Sequence, residues 1–162
     1  MNILLHEPEI PHNTGNIGRT CVATGTALHL IKPLGFSIDE KSVKRAGLDY
    51  WDKLDVYLYD NFQDFLNKNP HATIYMATTK AKHTYAEVTY TEDSFIMFGK
   101  ESAGIPEDIL IQYPETSIRI PMEPTIRSLN LSNAVAIVLY ESLRQQNFSH
   151  MQLEGQLRNY KW

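Results

Sequence analysis

A single cysteine, Cys21, stands in the 162 residues. That excludes a disulfide framework and any metal site built from cysteine. The six histidines fall at no metal-ligand spacing, so no metal is expected. No apolar run approaches the ~20 residues needed to span a bilayer. The opening Met1-Asn2-Ile3-Leu4-Leu5-His6-Glu7 lacks the basic start and long apolar body of a secretion signal. The expected location is therefore the cytoplasm, away from membranes, and the sequon Asn147-Phe148-Ser149 carries no weight there. Internal repeats, low-complexity tracts and linkers are missing. So is a cationic excess: the formal net charge is −4. A chain of that charge does not coat nucleic acid in bulk. Local basic patches remain at Lys41-Lys44-Arg45 and Lys80-Lys82-His83, and a charged helix face is in general solvated surface.

What is present is ordinary globular material, 43% hydrophobic and 21% charged. One domain over 1–150 is expected, with a polar tail, 151–162, that ends in aromatics. Short apolar runs bounded by Pro, Gly and Asn predict strands at Asn2–His6, Ala27–Ile31, Asp55–Tyr59, Thr73–Ala77, Phe95–Phe98 and Ile118–Ile120. In the third of these, alternation sets Val56 and Leu58 on one face and Tyr57 and Tyr59 on the other. Between them lie helical patterns: from the His12–Thr20 stretch through Ala23 with Gly25 as the stop, Asp39–Arg45, Phe62–Asn67 capped by Asn61, and Glu107–Ile111 with Pro106 as first residue. A long helix closes the series, running to Gln146. Its interior, Ala134–Leu139, is apolar on nearly every face, so it is expected to be buried in the core or against a partner. Strands alternating with helices give an α/β class with a mainly parallel sheet. In such sheets ligands bind beyond the carboxyl ends of the strands.

Three loops carry unusual residues. Asn13-Thr14-Gly15-Asn16-Ile17-Gly18-Arg19 reads as a tight glycine turn at a helix start with Arg19 aimed at an anion. It reads equally as an ordinary capped helix with an exposed arginine. It is neither a Walker loop nor a dinucleotide fingerprint, because the required lysine and third glycine are missing. Phe98-Gly99-Lys100-Glu101-Ser102-Ala103-Gly104-Ile105-Pro106 brings two glycines to a strand end, where backbone can approach a flat ligand. Taken alone it is a common turn. The third loop, Pro121 to Asn130, is stiffened by Pro121 and Pro124 and offers Arg127, Ser128 and Asn130 at a helix N-terminus. Cys21 falls in an apolar helix and reads as core filler.

Together the three loops resemble one family. The N-x-G-x-x-x-R start, the F-G-x-E-x-x-G-I-P turn and the I-P-M-x-P-x-x-R-S-L-N-L-S-N-A-V stretch are similar to the SPOUT class of RNA methyltransferases. Glu7 to Ile17 and Arg45 to Tyr50 further resemble its small single-domain tRNA (cytidine/uridine) wobble-position 2′-O-methyltransferases. Close relatives there read Gly-Pro-Glu-Thr-Arg-Gly where this chain has Lys100 and Ala103; Glu101 and Gly104 are kept. The resemblance implies an α/β fold with a deep carboxyl-terminal trefoil knot, an obligate homodimer, tRNA as substrate with no DNA, and S-adenosyl-L-methionine as methyl donor. It implies a donor pocket at Ala77, Gly99, Ile120, Met122, Ser128 and Leu129. It also implies a catalytic set of Arg19, Ser128 and Asn130.

The chemistry expected is in-line displacement at a sulfonium methyl, in which the protein chiefly positions the reactants. A guanidinium of pKa above ~12 is no base, so Arg19 is assigned to the target phosphate and the developing alkoxide. Ser128 and Asn130 are assigned to orienting donor and ribose, and Glu101 is one candidate proton acceptor. The competing readings are methylation of another ribose, a catalytically silent RNA-binding dimer, and an unrelated nucleotide- or flavin-binding domain.

Overall fold

The structure, a computed structural model, describes residues 1–38 and 51–162. The expected helix over Asp39–Arg45, the Lys41-Lys44-Arg45 patch and the Arg45–Tyr50 segment lie outside the described residues.

Among the described residues seven strands form one parallel sheet: β1 (Asn2–His6), β2 (Ala27–Ile31), β3 (Val56–Tyr59), β4 (Ile74–Ala77), β5 (His83–Thr84), β6 (Phe95–Phe98) and β7 (Ser117–Arg119). Their order is β3-β2-β1-β6-β4-β7-β5, and every pairing is parallel. The two-residue strand β5 is too short to leave a period-2 signal, and the sequence alone does not reveal it. The described helices are α1 (Pro11–Thr24), α2 (Phe62–Lys68), α3 (Glu107–Leu110) and α4 (Leu131–Gln145).

The period-2 pattern of the central strands sorts their side chains into two cores. Ile3, Leu5, Ile96 and Phe98 face Ile17 and Cys21 of α1 and Val135, Val138 and Leu139 of α4. Leu4, Phe95 and Met97 face Phe65 of α2 and Ile109 of α3. A parallel sheet requires such cover on both faces. On the edge strand β3, Tyr57 and Tyr59 both stack on His29, with ring centroids 4.7 and 5.8 Å away. That matches the alternation read from sequence.

One expectation about helices needs correction, and another is met in part. Helix α1 starts at Pro11, which occupies its first turn, where a missing N–H costs nothing. Residues 13–19 are therefore helical and not a glycine turn. Gly15 and Gly18 lie on the buried face with Asn13, Thr14, Ile17 and Cys21. Within this chain helix α4 buries one face in the core, and the alternative of burial against a partner concerns its other face. Val135, Val138, Leu139, Ser142 and Leu143 are inside, whereas Ile137 and Tyr140 are 37% and 44% exposed. Smaller shifts concern Pro106, which caps α3 from outside it, and β7, which begins one residue early at Ser117.

The segment before β6 is tied to the end of α4. Gln145 Oε1 accepts the Tyr90 N–H at 3.0 Å, and its Nε2 donates to the Val88 carbonyl at 3.0 Å. Residues 152–162 form no helix or strand and lie largely exposed.

Candidate active site

Strands β6, β4 and β7 are neighbours, so the chain leaving their carboxyl ends passes through one region. A cavity of about 680 Å³ opens there. Its walls come from Ala77 to Lys80 after β4, Phe98 to Ile105 after β6, and Ile118 to Ile120 with Met122 at β7. Arg127 to Leu131, at the start of α4, complete it. Ala77, Gly99, Ile120, Met122, Ser128, Leu129 and Asn130 thus line a common space. Arg19 is not among the lining residues. It is exposed on α1, six residues beyond Asn13 and therefore about 9 Å farther along the helix axis.

The loop after β6 is folded tightly on itself. Gly104 adopts a left-handed conformation at φ 73°, and its N–H donates to the Lys100 carbonyl at 2.8 Å. This turn lays residues 104–105 against Gly99. A Cβ on Gly99 would sit 1.9 Å from the Gly104 carbonyl carbon and 2.1 Å from the Ile105 nitrogen. The glycine is required by the loop's own backbone, a different reason from approach to a flat ligand.

Carboxylates lace this loop to the segment before α1. Glu101 accepts from the Glu9 N–H at 2.8 Å, the Ile10 N–H at 3.3 Å and Asn13 Nδ2 at 3.0 Å. Glu9 reciprocates, accepting from the Ser102 N–H at 2.9 Å and its hydroxyl at 2.8 Å. The Ser102 hydroxyl first, and its N–H second, hold the Glu9 carboxyl below the usual carboxylate range. Lys100 donates to Glu7 at 3.0 Å. With three donors on its carboxylate, Glu101 is occupied as a structural acceptor, and the candidacy of Glu101 as proton acceptor is withdrawn.

The network continues into α4. Asn130 Nδ2 donates to Asn13 Oδ1 at 3.0 Å. Asn130 Oδ1 caps the helix, accepting from the Ser132 N–H at 2.9 Å and the Asn133 N–H at 3.4 Å. Both polar ends of Asn130 are spent inside the chain. Asn13 is 4% exposed and joins Glu101 of one loop to Asn130 of another. The sequence contains Asn13 within its first motif, but nothing in the motif's spacing assigns it this bridging place.

Cys21 is fully buried, and burial pushes its thiol up to about 12, which leaves it unreactive. Among the described residues no group of His, Cys, Asp and Glu is arranged to hold a metal ion. Nor is any described helix long and apolar enough to cross a membrane.

Comparison with known proteins agrees with this geometry. A relative in Listeria monocytogenes serotype 4b (strain F2365) is 52% identical over 150 residues, spanning 91% of this chain and 89% of its own length. An Escherichia coli (strain K12) protein named tRNA (cytidine(34)-2′-O)-methyltransferase is 46% identical over 149 residues, covering 91% of this chain and 95% of its own. A solved structure described as giving insights into the 2-OH methylation of C/U34 on tRNA superposes with a TM-score of 0.84 at 41% identity. It covers 90% of this chain and 95% of that one. The model for the SpoU rRNA Methylase family matches residues 1–140, a span that holds all three converging strand ends and the cap of α4. By that span and by these relatives, the chain belongs to the SpoU methylase family.

Proposed function

We propose that the protein transfers a methyl group from S-adenosyl-L-methionine to the ribose 2′-hydroxyl of the wobble nucleotide of tRNA, a cytidine or modified uridine at position 34, working as a cytoplasmic homodimer. The observation that carries this reading is the convergence of three neighbouring strand ends and the α4 N-terminus on one cavity. Its volume falls within the roughly 300–1,000 Å³ of small-molecule sites. Its lining suits the donor: Ile120, Met122 and Leu129 offer apolar surface for a purine, and Ser128 with the backbone beyond β4 and β6 offers polar contacts for the ribose and amino-acid portions. Ala77, Gly99, Ile120, Met122, Ser128 and Leu129 would hold the donor. When bound, it supplies a methyl group already activated on a positively charged sulfur.

The protein's own part is positioning. Ser128, exposed at the cavity, orients the acceptor ribose. Asn130 acts as a positioning residue by fixing the α4 N-terminus against Asn13. Arg19 binds the target phosphate and stabilises the developing alkoxide. Because Arg19 does not line the cavity of its own chain, it is assigned to the cavity of the second subunit. The exposed apolar residues Ile137 and Tyr140 on α4 form part of the dimer contact, and α1 packs beside α4. The carboxyl-terminal knot implied by the family resemblance and the 1–150 domain boundary belong to the same proposal.

The test is direct. Purified protein, tRNA and methyl-labelled donor are incubated, and the labelled nucleoside is mapped by mass spectrometry. A ribose methyl at nucleotide 34, missing from tRNA of cells without the gene, is the expected result. Label on another ribose would move the target, and no label would end the reading.

A further inference from the structure

We infer that Arg127 is the phosphate anchor at the rim of the cavity; this rests on the reading that the methyl acceptor is RNA. Four cations line the cavity: Lys80, Lys100, Arg119 and Arg127. Two are already committed. Lys80 Nζ lies 2.6 Å from Glu107 Oε1, and Lys100 Nζ lies 3.0 Å from Glu7 Oε2. Arg119 ends β7 and is half-buried. Arg127 is exposed, in a loop whose residues from Glu123 to Asn130 are all exposed. Its side chain has no hydrogen bond or ion pair with the described residues. The nearest acidic residue along the chain, Glu123, contributes its carbonyl to a turn with the Ile126 N–H at 3.0 Å and makes no ion pair with Arg127.

A guanidinium held without a partner at the mouth of a cavity recognises an anionic oxygen, and its fork of donors suits a phosphate. Two sources offer one: a phosphodiester of the RNA beside the target ribose, and the carboxylate of the methyl donor. Exposure selects the first. The donor fills the space between the strand ends, whereas the RNA must approach across the exposed 123–130 loop. Pro121 and Pro124 restrict that loop and Arg127 directly precedes Ser128 in the cavity lining, so its contact would set which ribose reaches the methyl group. Lys80 and Lys100, neutralised by their carboxylates, add little net attraction at the rim. That leaves two uncommitted cations at this chain's rim, Arg119 and Arg127, and of these Arg127 is the exposed one.

The experiment compares wild type with Arg127→Ala, Arg127→Lys and Arg127→Gln, measuring RNA affinity over a range of salt and donor affinity by calorimetry. Each phosphate contact contributes about 0.7–0.9 to the slope of log K against log salt. Arg127→Ala and Arg127→Gln are expected to lower that slope by about 0.7–0.9 and to raise the KM for tRNA about tenfold. Donor affinity and the melting temperature should not change, and Arg127→Lys should restore most of the slope. An unchanged slope and KM in the alanine variant would overturn the inference. So would a loss of donor affinity with KM for tRNA intact, which would place Arg127 on the donor carboxylate. Wild-type methylation of nucleotide 34, measured in parallel, separates failure of this inference from failure of the proposed reaction.

Discussion

Glu101 ties the loop after β6 to the segment that opens α1. Its three N–H donors belong to Glu9, Ile10 and Asn13, so Glu101→Ala strands three donors at once. A charge-assisted hydrogen bond contributes about 1.5–3 kcal/mol, and water replaces part of that here. We expect a loss of about 2 kcal/mol in urea unfolding, with methyl-donor affinity falling as the loop loosens. Gly99→Ala fails for another reason, since its Cβ would overlap backbone 1.9 Å away. Overpacking of this kind costs at least about 2 kcal/mol, and calorimetry should show donor binding lost together with stability. Far from the site, His29 reports on pH. Its Nε2 lies 3.2 Å from Asn2 Oδ1, to which it donates, and in the neutral ring Nδ1 accepts from the Tyr59 hydroxyl at 2.8 Å. Burial lowers its pKa to about 4 from 6.5. The unfolded chain therefore takes up the proton first. Stability contributed by the neutral ring is complete above about pH 6.5 and drains away as pH falls toward 4, by up to about 3 kcal/mol. Urea midpoints between pH 7 and 4.5 should track this, and His29→Gln should flatten that part of the profile.

At the scale of elements, the N-terminus of α4 is where sequence and structure meet most closely. Ser and Asn before an apolar run predict a cap, and Asn130 provides it. The sequence does not show that the same side chain also reaches Asn13, 117 residues away. Two substitutions separate these duties. Asn130→Ala removes both, at about 1 kcal/mol for the cap alone. Asn130→Asp keeps the capping oxygen but sets an acceptor against Asn13 Oδ1. Asn13 cannot flip to compensate, because its Nδ2 is held by Glu101. Asn130→Asp should therefore keep the cap yet lower the urea midpoint by the cost of the opposed oxygens, about 1–3 kcal/mol, and transfer methyl groups more slowly, as a single-turnover assay would read. Helix α1 illustrates the opposite case. Glycines beside Asn and Thr look like a turn, because a residue-by-residue reading weighs local propensity. The Pro11 first turn and burial of one face override that propensity, so Gly15 and Gly18 end up inside a continuous helix.

At the scale of the whole molecule, the proposed dimer makes a prediction that a self-sufficient chain does not. Arg19→Ala and Gly99→Val should each be inactive alone. Mixed and allowed to exchange subunits, they form heterodimers in which one cavity is intact and receives an intact Arg19 from the other chain. Random exchange restores about a quarter of wild-type activity, while no recovery would return Arg19 to its own chain's cavity. Tyr140→Glu, placing charge on the exposed face of α4, should convert the dimer to monomer in sedimentation. The amino-acid sequence by itself determined the α/β class, six of the seven described strands within about a residue, and the two loops after β6 and before α4 that line the cavity, because period-2 apolar runs and Pro, Gly and Asn punctuation are local signals. Tertiary structure alone decided that β6, β4 and β7 are neighbours, that Glu101, Asn13 and Asn130 form one chain of hydrogen bonds, and that Arg19 lies apart from the cavity its motif accompanies. Strand order and contacts between distant segments depend on which surfaces bury each other in three dimensions, and no local pattern of residues records that.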